Sequence, residues 1–221
     1  MHDLASILDQ PLHEVRTALN AITGFASILG DEIPGRLNDH QQAYVGKILG
    51  SADRIQRLIN TLVDLAALES GTFRLERRHT TYAALVAETV QAFKPLAEHK
   101  LVRLVVDVDV PHDPWVDGPR VALALSNLLS NALAHNPTGG FVEVKACIKG
   151  DELITSVTDG GPGLRDDDAE RALAGQAGLG LRIGRKLIEA HGGRLGVDTS
   201  LGNGATFWYA LPLSSALSIA A

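Results

Sequence analysis

The chain has 221 residues, 45% hydrophobic and 21% charged, the balance of an ordinary globular protein with room for one medium domain or two small ones. Its net charge of −6 and pI of about 5.7 argue against a nucleic-acid partner, which calls for a basic face. The single cysteine, Cys147, excludes an internal disulfide and a cysteine-based zinc site, and fits a reducing compartment.

The longest charge-free apolar run, Val121 to Ala134, is broken by Ser126, Asn127, Ser130 and Asn131 and is too short to cross a bilayer. The N-terminus lacks the cationic and then apolar pattern of a signal peptide. A cytoplasmic protein is expected, with no membrane contact in this segment.

Residues 1–71 read as two helices. Leu8, Leu12, Val15, Leu19, Ile22, Ala26 and Leu29 follow at alternating spacings of four and three, a heptad seam that stops at Gly30. Pro34-Gly35 marks a turn, and a second seam runs through Ile48, Ala52, Ile55, Ile59, Leu62 and Ala66 to Ser70-Gly71. An antiparallel hairpin of this kind cannot bury its apolar stripe alone, so pairing with a second copy as a four-helix bundle is expected, giving a homodimer.

From residue 72 to 213 the periodicity changes. Phe73 to Arg77 alternates like a strand, Tyr82 to Glu98 reads as a helix, and Leu101–Val108, Phe141–Ile148 and Leu153–Thr158 are β-rich. A helix over Arg182–His191 closes at Gly192-Gly193, and Arg194–Val197 and Ala205–Leu211 are the last strands. This order predicts an α+β fold with helices layered on a sheet. Residues 214–221 carry no charge or pattern and are expected to be an unstructured tail.

Several clusters carry chemistry. With Leu12 at an a position and Val15 at d, His13 falls at b, beside the seam; Glu14 follows and Thr17 lies one turn on. A neutral imidazole is a competent nucleophile, and a neighbouring carboxylate can fix its tautomer. Asn127 and Asn131 are four apart, so both amides share one helix face, and amide oxygens are suitable hard ligands for Mg²⁺. Asp159-Gly160-Gly161-Pro162-Gly163 follows a strand, and Gly178-Leu179-Gly180-Leu181 opens a helix, where backbone N–H groups can meet phosphates. Gly202 to Phe207 forms the last glycine cluster.

The stretch His13-Glu14-Val15-Arg16-Thr17-Ala18-Leu19-Asn20 resembles the phosphoacceptor motif of sensor histidine kinases, and the four later clusters resemble that family's ATP-binding motifs in the same order. The resemblance spans about Leu12 to Pro212. It implies a dimerisation and histidine-phosphotransfer hairpin over 1–71, and an α/β-sandwich ATP-binding domain of the histidine kinase, gyrase and Hsp90 type over 72–213. It further implies ATP-dependent phosphorylation of His13, then transfer to an aspartate of a response-regulator receiver domain. By resemblance Glu14 orients His13, and Thr17 positions a water for a phosphatase reaction. Asp159 accepts from the adenine amino group, and Gly161, Gly163, Gly178 and Gly180 permit close backbone approach. His135 lines the pocket, Thr206 supports it through its hydroxyl, and Asn127 and Asn131 hold Mg²⁺.

Departures from the family pattern cluster near the phosphates. Ala134 stands where a lysine or arginine is usual, Gln176 where glycine is common, and Ala18 where a helix-bending proline is usual. The 14-residue segment from Leu164 to Ala177 is short for an ATP lid and carries Asp166, Asp167, Asp168 and Glu170; these acids are expected to form a solvated helix face beside Arg165 and Arg171. At the level of sequence two other readings stand: a phosphotransfer adaptor that has lost ATP binding, and an ATPase or scaffold whose hairpin only dimerises.

Overall fold

The computed structural model describes residues 4–33, 35–173, 178–200 and 204–213, with side chains described there except at 4–13, 57, 61, 69, 166, 170, 172 and 173. Pro34, Gln176, Gly202, Asn203 and the expected tail lie outside the described residues. The chain divides into two compact units, Met1–Phe73 and Arg74–Ala221.

The first unit is a helical hairpin of α1 (Leu4–Gly30) and α2 (Asp39–Ser70). Asn38 starts α2 through a capping box: its side chain accepts from the Gln41 N–H at 2.9 Å, and the Gln41 side chain accepts from the Asn38 N–H at 2.9 Å. Gly71 ends α2 at φ 71°, where its N–H reaches the Ala67 carbonyl. The two halves of the heptad seam separate in space. Leu19, Ala26, Ala52 and Ile59, on one side of it, are buried between the helices. Val15, Ile22, Leu29, Ile48, Ile55 and Leu62, on the other side, are exposed.

The second unit is an α+β layer. Its five-stranded sheet runs β2 (Arg103–Asp109), β4 (Phe141–Lys149), β5 (Glu152–Asp159), β7 (Thr206–Pro212), β6 (Arg194–Asp198), with β2 parallel to β4 and the other pairs antiparallel. Helices α3 (Tyr82–His99), α4 (Gly118–His135) and α6 (Leu179–Ala190) pack on it, with α4 touching both of the others. On α4, Val121, Leu125, Leu128, Leu129 and Leu133 recur at helical spacing and are wholly buried. Val142, Val144, Leu153, Val157, Phe207, Tyr209 and Leu211 meet them from alternate strand positions. Within that core the Tyr82 hydroxyl lies 2.6 Å from both the Thr155 Oγ1 and the Tyr209 hydroxyl, so three buried polar groups satisfy one another.

The strand expected at Phe73–Arg77 does not form. Only β1 (Arg78–His79) pairs, with β3 (Trp115–Val116). Residues 73–77 keep a strand-like alternation of exposure, but among the described residues no strand lies alongside them. The Glu76 N–H instead donates to the Asp117 Oδ2 at 2.8 Å. Asp117 also caps α4, accepting from the Arg120 N–H at 3.3 Å, and its own N–H donates to the His191 Nε2 at 3.2 Å. His191 is buried, and its Nδ1 donates to the Leu187 carbonyl at 2.7 Å, which requires the neutral Nδ1–H tautomer.

Candidate nucleotide site and phosphoacceptor helix

Strand parity creates the site. Along β5 the residues Leu153, Thr155, Val157 and Asp159 all turn to the helix-covered side, so the strand ends by carrying a carboxylate indoors. Asp159 is 5% exposed. Its Oδ1 accepts the Gly161 N–H at 2.8 Å, and its own N–H donates to the Ala205 carbonyl at 3.0 Å. Burial pushes the Asp159 carboxyl above the usual carboxylate range, and backbone hydrogen bonds with the Gly161 and Ala205 backbone, together with nearby His135, pull it partly back. A Cβ at Gly161 would sit 2.6 Å from Asp159 Oδ1 and 3.1 Å from the His135 carbonyl, so only glycine fits there.

Asp159 opens onto a cavity of 510 Å³ that Asn131 and His135 line from α4. Pro162, Gly163 and Leu164 form the loop side, and Ala205 and Phe207 the floor at the start of β7. The remaining wall comes from α5 (Asp166–Leu173), through Asp168 and Arg171. Asp167 and Arg171 are exposed, as expected of a solvated face, and Asp168 lines the cavity with its side chain still 40% exposed; the side chains of Asp166 and Glu170 lie outside those described. Asp168 and Arg171, three apart on α5, both meet the cavity, while Asp167 stays in solvent. That spacing was present in the sequence as a signal.

Asn127, one turn before Asn131, faces α6 rather than the cavity. A Cβ at Gly180 would lie 2.9 Å from the Asn127 Oδ1, so glycine there lets α6 start against this amide. Gly178 caps α6 at φ 116°, a conformation that disfavours any side chain. Thr206 stands beside the cavity rather than in its wall, its hydroxyl 2.9 Å from the Thr158 Oγ1 across the β5–β7 pair. Ala134 is exposed at the end of α4.

Of the two amides expected to hold Mg²⁺, Asn131 lines the cavity and Asn127 turns to α6, so one neutral amide oxygen, a suitable hard-cation donor, is available at the cavity itself. Among the described residues no group of three or more His, Cys, Asp or Glu side chains is placed to hold a metal. In the hairpin, position 13 lies within α1, and Glu14 and Thr17 are both exposed. The helix continues through Ala18 without a break.

The cavity and sheet are those of a nucleotide-binding ATPase domain. Residues 116–215 match the family of histidine kinase-, DNA gyrase B- and HSP90-like ATPases, and residues 12–71 match the His Kinase A (phospho-acceptor) domain. With one domain in each unit, the chain belongs to the sensor histidine kinase family and carries its catalytic core.

Relatives include the circadian input-output histidine kinase CikA of Synechococcus elongatus, 30% identical over 90% of this chain and 29% of that protein. The sensor protein GacS of Pseudomonas syringae is 34% identical over 92% of this chain and 24% of its own length. The crystal structure of full-length ShkA in complex with AMPPNP superposes with a TM-score of 0.77 at 30% identity, covering 96% of this chain and 47% of that one. The histidine kinase AdeS of Acinetobacter baumannii, at 19% identity and a TM-score of 0.67, shares the fold, over 92% of this chain and 98% of its own. The chain thus spans about a quarter to three tenths of the length of these two sequence relatives. No helix among the described residues is long and apolar enough to cross a membrane.

Proposed function

We propose that this chain phosphorylates His13 with the γ-phosphoryl group of ATP and passes it to an aspartate of a response-regulator receiver domain. The observation that carries the proposal is the buried Asp159 carboxylate in the lining of a 510 Å³ cavity, in a chain whose α1 bears the His13-Glu14 pair.

In this reading residues 1–71 dimerise and hold the phosphoacceptor, and residues 72–213 bind nucleotide, in the cytoplasm. Asp159 accepts from the purine amino group, which restores to its buried carboxylate part of the solvation it lost. His135, Leu164, Ala205 and Phe207 exclude water around the base, and Thr206 supports the floor through Thr158. Asn131, on the cavity wall, would hold Mg²⁺, with Asn127 one turn before it as the second expected ligand, and the ion would supply charge neutralisation at the phosphates. Gly161, Gly163, Gly178 and Gly180 let backbone approach the nucleotide. Arg171 stands on the cavity wall and supplies a cation where Ala134 supplies none.

Glu14 takes a hydrogen bond from one ring nitrogen of His13, leaving the lone pair of the other for attack at phosphorus. The P–N bond forms as the P–O bond to the departing ADP breaks, and ADP keeps the electron pair. Thr17 positions a water for dephosphorylating the partner. The exposed row Val15, Ile22, Leu29, Ile48, Ile55 and Leu62 supports a homodimer through the hairpin.

The test is incubation of the purified protein with γ-labelled ATP and Mg²⁺ beside His13→Ala. Acid-labile label on the parent and none on the variant is the expected result; equal labelling of both would overturn the assignment of His13.

A further inference from the structure

Strand β2 is an edge of the five-stranded sheet: it pairs with β4 on one side, and among the described residues no strand lies on the other. Successive residues of a strand send their N–H and C=O groups to opposite sides. The Arg103 N–H donates to the Gly140 carbonyl at 3.0 Å, at the entry to β4, so Arg103, Val105, Asp107 and Asp109 turn their backbone toward β4. Leu104, Val106 and Val108 therefore present three N–H and three C=O groups along the free edge.

The side chains sort by face. Leu104, Val106 and Val108 stand beside Val142, Val144 and Ala146 of β4, all buried, which puts them on the helix-covered side. Val106 is nevertheless 44% exposed. On the open side Arg103 and Asp109 are exposed at the two ends of the strand, and among the described residues neither forms an ion pair. Asp107 stands beside Lys145 of β4, so its charge is answered within the sheet.

Charges on an edge strand ordinarily keep other strands away. Here their order is self-complementary. In an antiparallel pair of two β2 strands centred on Val106, Arg103 stands opposite Asp109 of the second copy, Leu104 opposite Val108, and Val106 opposite itself. All the edge-facing N–H and C=O groups are then paired. Sliding the pair by two residues either sets Asp107 against itself or puts Val108 opposite Val102, whose N–H already goes to the Ala97 carbonyl.

We propose that two copies of this chain join through β2 in that register, so that two five-stranded sheets continue as one of ten. A second copy is the occupant that the order of charges fits, because a twofold contact needs a surface that complements itself. The contact is separate from the apolar row of the hairpin and stands whether or not His13 accepts phosphate. One strand pair is a small interface, so a dissociation constant on the order of 100 µM is expected.

The experiment is amide hydrogen exchange, read by NMR on the whole chain at about 1 mM, where that constant leaves about one chain in five unpaired. The Leu104, Val106 and Val108 amides should exchange about fivefold more slowly in the parent than in Arg103→Asp, which sets like charges opposite each other at both ends. Adding Asp109→Arg to that variant exchanges the two charges and should restore the parent rate. The Val105 and Asp107 amides, which face β4, should not differ. If Arg103→Asp quickens them too, the strand itself has loosened, and Asp109→Arg alone makes the same comparison. Equal edge rates in the parent and the single reversals overturn the proposal, since the edge is then open, covered by its own chain, or left for another protein.

Register has its own readout. Val105→Cys and Asp107→Cys chains, each also carrying Cys147→Ser, should form disulfides between unlike copies when mixed, because that opposed pair brings Cα atoms to about 4.5 Å. Like copies sit on the diagonal at about 7–8 Å, beyond the reach of a disulfide. Like and unlike disulfides in equal yield overturn the register and the proposal with it.

Discussion

Leu125, Leu128 and Leu133 of the ATP-binding unit are wholly buried within their own chain, whereas Val15, Ile22 and Ile55 of the hairpin keep 45 to 51% of their surface exposed. The ATP-binding unit has two layers, so the apolar faces of its helices and sheet that meet between them cover each other, and its strand parity can bring a carboxylate inside as well. The hairpin has only two helices. It buries one side of its heptad seam between them and leaves the other side exposed, the side proposed to pair with a second copy. Self-sufficiency thus accompanies the nucleotide site and incompleteness the phosphoacceptor, and the two units should respond separately to substitution.

The largest effect expected is on assembly. Ile22→Asp places a charge in the exposed row and should abolish the dimer, because an unpaired charge buried in an apolar interface is strongly unfavourable. Light scattering should find monomers, while calorimetry should find ATP affinity unchanged. Loss of ATP affinity in that variant would break the separation of the two units.

Next comes the carboxylate. Asp159→Asn should weaken ATP about ten- to a hundredfold, the range for a hydrogen bond to a charged group, with the dimer intact. The sign of the pH dependence follows from burial. The Asp159 carboxyl is held above its ordinary range, and the purine amino group prefers the ionised form. ATP affinity should therefore rise with pH through the acid range and level off once Asp159 has lost its proton, a slope that Asp159→Asn removes. Titrations by calorimetry in buffers of different ionisation enthalpy measure both.

A smaller effect is confined to the core. Tyr82→Phe leaves Thr155 and Tyr209 short of a partner and should cost about 1–3 kcal/mol, read as a melting temperature lower by a few degrees in the ATP-binding transition alone.

The smallest concerns His191. Burial, partly opposed by its hydrogen bond to Leu187, holds its imidazole below the ordinary value of 6.5. The unfolded chain then binds the proton more readily than the folded one, so stability is complete above the unfolded value and is lost as pH falls below it. Denaturation between pH 7 and 5 should show that slope in the parent, and His191→Gln should flatten it.

The secondary structure was largely legible because its signals are local. The four-and-three spacing of the hairpin and the alternation along β4, β5 and β7 each express one element's own period. The miss at Phe73–Arg77 is informative: alternation reports that a segment is extended and half-covered, and a ladder also needs a second strand beside it. Here the side chain of Asp117, 41 residues further on than Glu76, takes the backbone donor instead. In the site, Asn131 was legible from type and spacing, and Asp159 and His135 through the resemblance of their clusters to the family's motifs; the structure brings all three to one cavity. Asp168 and Arg171 were read as part of a solvated face, and they remain substantially exposed; that they also border the cavity depends on how α5 lies on its own domain, which no local pattern encodes.

By itself, then, the sequence determined the two-unit order, the helical and strand periods, and the residue types able to hold a hard cation, approach phosphates and act as a nucleophile. These follow from steric and chemical properties that travel with each residue. Tertiary structure alone decided which half of the heptad seam turns inward, which lid residues face the cavity, and that Asp117 and His191 join α4 to α6. Each depends on a neighbour at least 20 residues away in the chain or on what covers a surface, and no period or composition encodes that.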